Sequence, residues 1–154
     1  MAKMELKLPD DFEKRLNALG EHEDEIAEKV LEAGAEIVLP IMKSKLAGSI
    51  GRNTKLPSRS TGELLRSLGV SPMKLDRDGN NNVKVGFNEP RRKQYAARGK
   101  RSYKTATNAM LANILEYGRH GQPAKPFLKP AAKAAKAEAE AAMKQKFIEE
   151  AGRL

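Results

Sequence analysis

Three prolines, Pro123, Pro126 and Pro130, flank a single aromatic residue in the run Gln122-Pro123-Ala124-Lys125-Pro126-Phe127-Leu128-Lys129-Pro130-Ala131, just after Glu116-Tyr117-Gly118. Each proline fixes its own φ and removes a backbone donor, and the residue before it is steered out of the helical region. No regular helix or central strand can pass through such a stretch. The spacing predicts an extended arm over about 118–130, stopped upstream by Gly118 and delivered downstream to a helix start. Phe127 has two destinations compatible with that shape. It plugs the chain's own core, with the prolines setting the turn, or it inserts into a neighbouring subunit.

The arm joins two helical signals. Upstream, a helix is expected at about 106–117, burying Met110, Leu111, Ile114 and Tyr117. Downstream, 127–151 is rich in alanine, the best helix former, and at about 1.5 Å per residue would reach roughly 35 Å. Phe147 and Ile148 are its expected distal anchors. Nearer the start, Phe12, Leu16 and Leu19 suggest a helix from Pro9 to Leu19. A longer one from about Glu21 aligns Ile26, Val30, Leu31, Ile37, Val38, Ile41, Met42 and Leu46 on one face. Its acidic opening suits the helix dipole, and Pro40 predicts a kink.

Between these helices the pattern changes. Residues 48–60 lack an apolar period and read as a loop; Ser60-Thr61-Gly62-Glu63 has capping-box spacing before Leu64, Leu65 and Leu68. The runs Leu68–Leu75 and Val83–Phe87 flank Asp76-Arg77-Asp78-Gly79-Asn80-Asn81-Asn82, which predicts a β-hairpin that packs on the long helix or adds to a neighbour's sheet. The expected architecture is α+β, a single domain over 1–154. A long N-terminal helix and an Ala-rich C-terminal helix pack on a small antiparallel β-sheet.

Composition narrows the function classes. The net charge is +9, yet residues 1–60 carry 10 basic and 11 acidic groups while residues 61–105 carry 11 and 4. The excess is local, and Arg91, Arg92, Lys93, Arg98, Lys100, Arg101 and Lys104, interleaved with Tyr95 and Tyr103, predict a mobile basic loop at about 89–106. Such a loop suits an acidic protein surface or, without regard to sequence, the phosphates of DNA. The chain has no cysteine, so disulfides and thiolate metal sites are excluded. No apolar run approaches the roughly 20 residues of a bilayer span, so no membrane partner is expected.

Catalytic patterns do not assemble. Asp76, Asp78 and Asn80 imitate part of a calcium loop, but Gly79 stands at the fourth position rather than the sixth, and Phe87 stands where a bidentate Glu is needed. His22 and His120 have no partner at metal or nucleophile spacing. Glu116 reads as a hydrogen bond or ion pair pinning the turn. No catalytic, cofactor-binding or metal residue is expected, and a small nuclease would need clustered carboxylates that this chain does not have.

The motif residues Thr61, Gly62, Leu64 and Ser67, followed by Glu116-Tyr117-Gly118 and the Pro-Ala-x-Pro-Phe-Leu-x-Pro-Ala run, occur in the order seen in the small tail-component proteins of lambdoid long-tailed bacteriophages. The chain resembles that family over roughly residues 20–135. The resemblance implies a non-enzymatic structural protein of the virion tail or neck, made in the bacterial host cytoplasm, that completes the tail or joins it to the head. The implied partners are copies of itself in a ring, for which the family context suggests a hexamer, the tail-terminator or tail-tube protein, and the head-side connector. DNA in the channel is a non-specific contact. Glu116, Tyr117, Gly118, Pro123, Pro126, Phe127 and Pro130 are the candidate partner contacts. The rival reading is a basic, sequence-independent nucleic-acid-binding protein, which accounts for the charge but gives the shared motifs no purpose.

Overall fold

The computed structural model describes residues 3–7, 9, 22–53, 60–88, 94–96, 103–105 and 107–153. The expected helix at 9–19 falls outside them apart from Pro9. Chain order is β1 (Met4–Lys7), α1 (Glu23–Ser49), α2 (Glu63–Arg66), β2 (Leu68–Val70), β3 (Lys74–Leu75), β4 (Asn81–Phe87), β5 (Gln94–Ala96), β6 (Tyr103–Thr105), α3 (Asn108–Tyr117) and α4 (Leu128–Ala151). The α+β architecture is as the sequence predicts: two long helices over a small antiparallel sheet.

The two helices form the spine. α1 buries Ile26, Ala27, Val30, Leu31, Gly34, Ala35, Val38, Met42 and Leu46, a stripe recurring every three or four residues. It runs unbroken through Pro40, whose ring lies on the exposed side. α4 buries Ala131, Ala135, Ala139, Met143, Phe147 and Glu150. Small alanines on that stripe bring the helices close. They run antiparallel, with Lys29 beside Glu150 (2.9 Å) and Gly34 beside Met143. Phe147 is buried as expected; Ile148, one position on, faces away and is 70% exposed.

β4 is the central strand, with antiparallel partners on both sides. β1 registers Met4 with Val85 and Lys7 with Asn82; β2 registers Leu68 with Phe87 and Val70 with Val85. The expected hairpin is present, but its first strand is interrupted. Val70 faces Val85 and Lys74 faces Asn82, four steps against three, so one extra residue is accommodated around Pro72. There the Lys84 N–H donates to the Ser71 hydroxyl (2.9 Å). The turn after β3 closes on the Asp76 side chain, whose Oδ1 accepts from the N–H groups of Asp78 (2.9 Å) and Asn80 (3.0 Å). Val83, Val85 and Leu68 face the helices and bury against them, joined by Met4 and Leu6 of β1.

Three local expectations are corrected. The helix after Thr61 is a single turn, and its cap is Gly62 at φ 74°, which has no side chain to cap with; the Ser60 hydroxyl instead accepts from Gly62 N–H (3.3 Å). Leu68 belongs to β2, because Ser67 ends the turn by donating its hydroxyl to Leu64 O (2.8 Å). In α3, Met110 and Tyr117 are exposed and Leu111 and Ile114 half-buried, whereas Asn108, Ala112 and Glu116 are buried. The helix is apolar on both sides, so periodicity does not say which side faces inward.

Candidate functional site

The segment from Glu116 to Ala131 is built around one carboxylate. Glu116 lies at the end of α3 with 4% of its surface exposed. Its Oε2 accepts from the N–H groups of Phe127 (2.7 Å) and Leu128 (2.8 Å), and its Oε1 from Lys129 N–H (3.2 Å). These are the first donors of α4, the groups that a helix N-terminus leaves without an intrahelical acceptor. Pro130, next in line, has no N–H, and Ala131 N–H donates to Phe127 O (3.0 Å). Every donor of the first turn is accounted for. The N-cap residue Phe127 makes no side-chain cap bond, so the acceptor comes from a different helix. A carboxylate at the positive end of a helix dipole also gains electrostatically.

The arm reaches that position by a tight reversal. Gly118 N–H donates to Ile114 O (2.8 Å), ending α3 at φ 76°. A β-carbon at Gly118 would lie 2.8 Å from Ala124 N and 2.9 Å from Gln122 O, so the returning chain passes where any other residue's side chain would be. Arg119 and Gln122 exchange both backbone hydrogen bonds at 2.9 Å, and Arg119 Nε donates to Gln122 Oε1 (3.1 Å). Lys125 N–H then donates to Leu115 O (2.7 Å), laying the arm along α3.

Phe127 is fully buried in the chain's own core, edge-on to Phe87 with centroids 6.1 Å apart and ring planes at 77°. Of its two destinations, the chain's own core holds it. Tyr117, Pro123, Pro126 and Pro130 lie on the surface. In the upstream motif, Thr61 is exposed and its carbonyl accepts from Arg66 Nη2 (3.1 Å), while Leu64 docks on the core. Of the basic stretch, Arg91, Arg92, Lys93, Arg98, Lys100 and Arg101 lie outside the described residues. Lys104 stands in β6, which pairs antiparallel with β5 and sets Tyr95 opposite Lys104 in the backbone register.

Other charged clusters are equally structural. Glu150 is buried, and Lys29 (2.9 Å), Arg153 (2.8 Å) and Lys146 (3.3 Å) surround it; the Lys29 hydrogen bond is foremost in holding its carboxyl below the usual range. An open depression of about 480 Å³ is lined by Glu5, Lys7, Asp76, Asp78 and Lys84. Asp76 is already committed there, its second oxygen 3.1 Å from Lys7 Nζ. Among the described residues no three His, Asp or Glu side chains come together as a metal site would require. Nor is any helix among them long and apolar enough to cross a membrane.

Sequence reasoning identified Glu116 as a pin for the turn but missed its partner, the start of α4. A signal was present. Phe-Leu-Lys-Pro opens a helix with a residue unable to cap it, which calls for an acceptor from elsewhere. β1 was also missed.

The geometry fits a protein whose distinctive residues shape a scaffold, and comparison with known proteins agrees. The family model described as "Bacteriophage HK97-gp10, putative tail-component" matches residues 10–118, well over half the chain and including Thr61 to Ser67 and Glu116 to Gly118. No curated protein and no solved structure matches. The chain belongs to the HK97-gp10-like family of bacteriophage tail components.

Proposed function

We propose that this tail component acts by assembling as a ring that completes the upper end of the tail or joins it to the head, without catalysing a reaction. One observation carries the reading. The motif residues with chemical potential are consumed by the fold itself: Glu116 spends both carboxylate oxygens on three backbone N–H groups, and Phe127 is core. What remains is surface, and on this reading the subunit works by surface matching. Its partners on this reading are further copies of itself, six if the family context holds, the tail-terminator or tail-tube protein, and the head-side connector.

Negative-stain microscopy of the purified protein, alone and mixed with tails lacking the native copy, tests this. Decoration of one tail end is the expected outcome; tails that remain bare would refute it.

The local basic excess in residues 61–105 supports an additional, sequence-independent contact with DNA in the channel. Charge reversal at Arg91, Arg92, Arg98 and Arg101 should abolish a salt-sensitive gel shift of duplex DNA. Equal retention by both proteins at low salt removes that contact.

A further inference from the structure

α3 has one ionisable acid, Glu116, and it is buried in the clamp on α4. The rest of the helix is uncharged, in a chain that is 32% charged. Its inner side contributes Leu111, Ala112 and Leu115 to the core. Its outer side is apolar too. Met110 (46% exposed) and Tyr117 (67% exposed) are separated by half-buried Ile114, at the i, i+4, i+7 spacing of one helix ridge. A monomeric surface seldom leaves such a ridge bare unless a partner covers it.

The segment that leaves the ridge, its rim along the chain, carries a single sign of charge. From Tyr117 to Ala137 the sequence holds five Lys or Arg residues and no Asp or Glu. Arg119, two residues past Tyr117, and Lys129, whose N–H donates to Glu116 at the end of α3, are both exposed. The turn carrying Arg119 is fixed by its reciprocal backbone bonds to Gln122, so the surface is shaped before anything binds and little ordering cost remains.

A complementary surface exists on the same chain. α1 exposes Glu25, Glu28, Glu32 and Glu36, spaced three, four and four residues apart along one outward ridge. Between Glu23 and Met42 the helix has six acidic residues and one basic residue, Lys29, which is engaged with Glu25 and Glu150. DNA would match the charge of the α3 rim, but its phosphates offer nothing to Met110, Ile114 and Tyr117. Ala33, half-buried beside the acidic ridge, adds a small apolar contact on α1.

Building on the ring reading, we propose that the α3 ridge and its cationic turn on one copy dock against the acidic ridge of α1 on the next. Two different faces of one chain meet, so the contact is heterologous and propagates head-to-tail, as a closed ring requires. Opposite charge sets register and orientation, and the apolar ridge supplies the dry centre.

Charge exchange tests the interface, read by sedimentation velocity and by microscopy on tail ends. The pair Arg119→Glu with Lys129→Glu reverses the rim, and Glu28→Lys with Glu32→Lys reverses the ridge. Each double variant should lose self-association by about a hundredfold, the scale of like charges placed together, with an unchanged melting curve. An equimolar mixture should reassemble with the two variants alternating, because each reversed face then meets its complement. Tyr117→Ser should weaken association without altering charge. Assembly that survives both reversals, a mixture that stays apart, or a wild-type chain that is monomeric both free and on tails overturns the proposal. So does a rim variant that loses duplex-DNA retention and keeps its self-association. If wild type decorates tail ends while the reversals leave assembly intact, this interface fails and the tail-completion reading stands.

Discussion

Gly34 of α1 faces Met143 of α4 so closely that a β-carbon on the glycine would lie 2.8 Å from the methionine sulfur and 2.9 Å from its Cγ. Alanine at 34 brings two opposed effects. Helix propensity favours it by about 1 kcal/mol, and overpacking opposes it by about 1–3 kcal/mol. Gly34→Ala should therefore lower stability by about 1 kcal/mol in denaturant melts. In a Met143→Ala background the obstruction is gone, and the same change should stabilise by about 1 kcal/mol. An identical effect in both backgrounds would mean that the two residues do not set the helix spacing.

Glu116 holds three backbone donors at the head of α4. Glu116→Ala leaves those N–H groups without their acceptor in a buried setting, and a loss of about 3 kcal/mol or more is expected. Glu116→Gln retains one acceptor oxygen but turns an amide N–H₂ toward the remaining donors, so it should fall between wild type and alanine. Hydrogen exchange gives the specific readout: amides of residues 127–129 should lose protection well before those of α1. Uniform loss across both helices would argue against a local clamp.

Phe127 is completely buried against Phe87. Phe127→Ala should cost about 3–5 kcal/mol, the usual range for a buried aromatic reduced to a methyl. Phe127→Leu keeps most of the volume and should recover much of that loss. A monomer of undiminished stability with alanine at 127 would move the ring out of the core and restore the inserted-arm alternative.

Asp76 closes the turn between β3 and β4, and the N–H of Asn80, aided by Lys7 and the N–H of Asp78, pulls its carboxyl down to about 2. Because the folded value lies below the unfolded one, near 3.9, the ionised form favours the fold. Its contribution is complete above about pH 5 and disappears as pH falls through 4 toward 2. Comparing wild type with Asp76→Asn across pH 2–7 should show a stability difference that is constant near neutrality and vanishes at the acid end. A difference independent of pH would show that the carboxylate's charge is irrelevant to the turn.

How legible this fold was depended on how local each cause is. Prolines at 123, 126 and 130 act on their own neighbours, so the arm and the start of α4 could be placed from sequence alone. Gly118 marked the end of α3 for the same reason. The hairpin was legible from its alternating Val83, Val85 and Phe87, though the interruption at Pro72 shortened the first strand. β1 was not legible: four residues of Met-Glu-Leu-Lys become a strand only because β4 offers an edge to them. Capping-box spacing at Ser60 to Glu63 was matched in letters, while the left-handed backbone at Gly62 is a tertiary demand that spacing does not encode. Met110 and Tyr117 were expected inside because the sequence shows that they are apolar, and which apolar side a short helix buries is decided by its neighbours. Glu116 was half legible. Its role as a pin followed from its position beside Gly118, and its partner could be found only once the arm was folded back.

The pairing of α1 with α4 also has a consequence in time. Lys29 and Glu150 touch across 121 positions of chain. At about 5–20 residues per second, a ribosome takes roughly 6–24 s to get from one to the other. For most of that interval Val30, Leu31, Val38 and Met42 have been made and the alanine stripe that covers them, Ala131 to Ala139, has not. The nascent chain is at its most vulnerable to aggregation then, and the fold can complete its core only when the alanine-rich helix emerges.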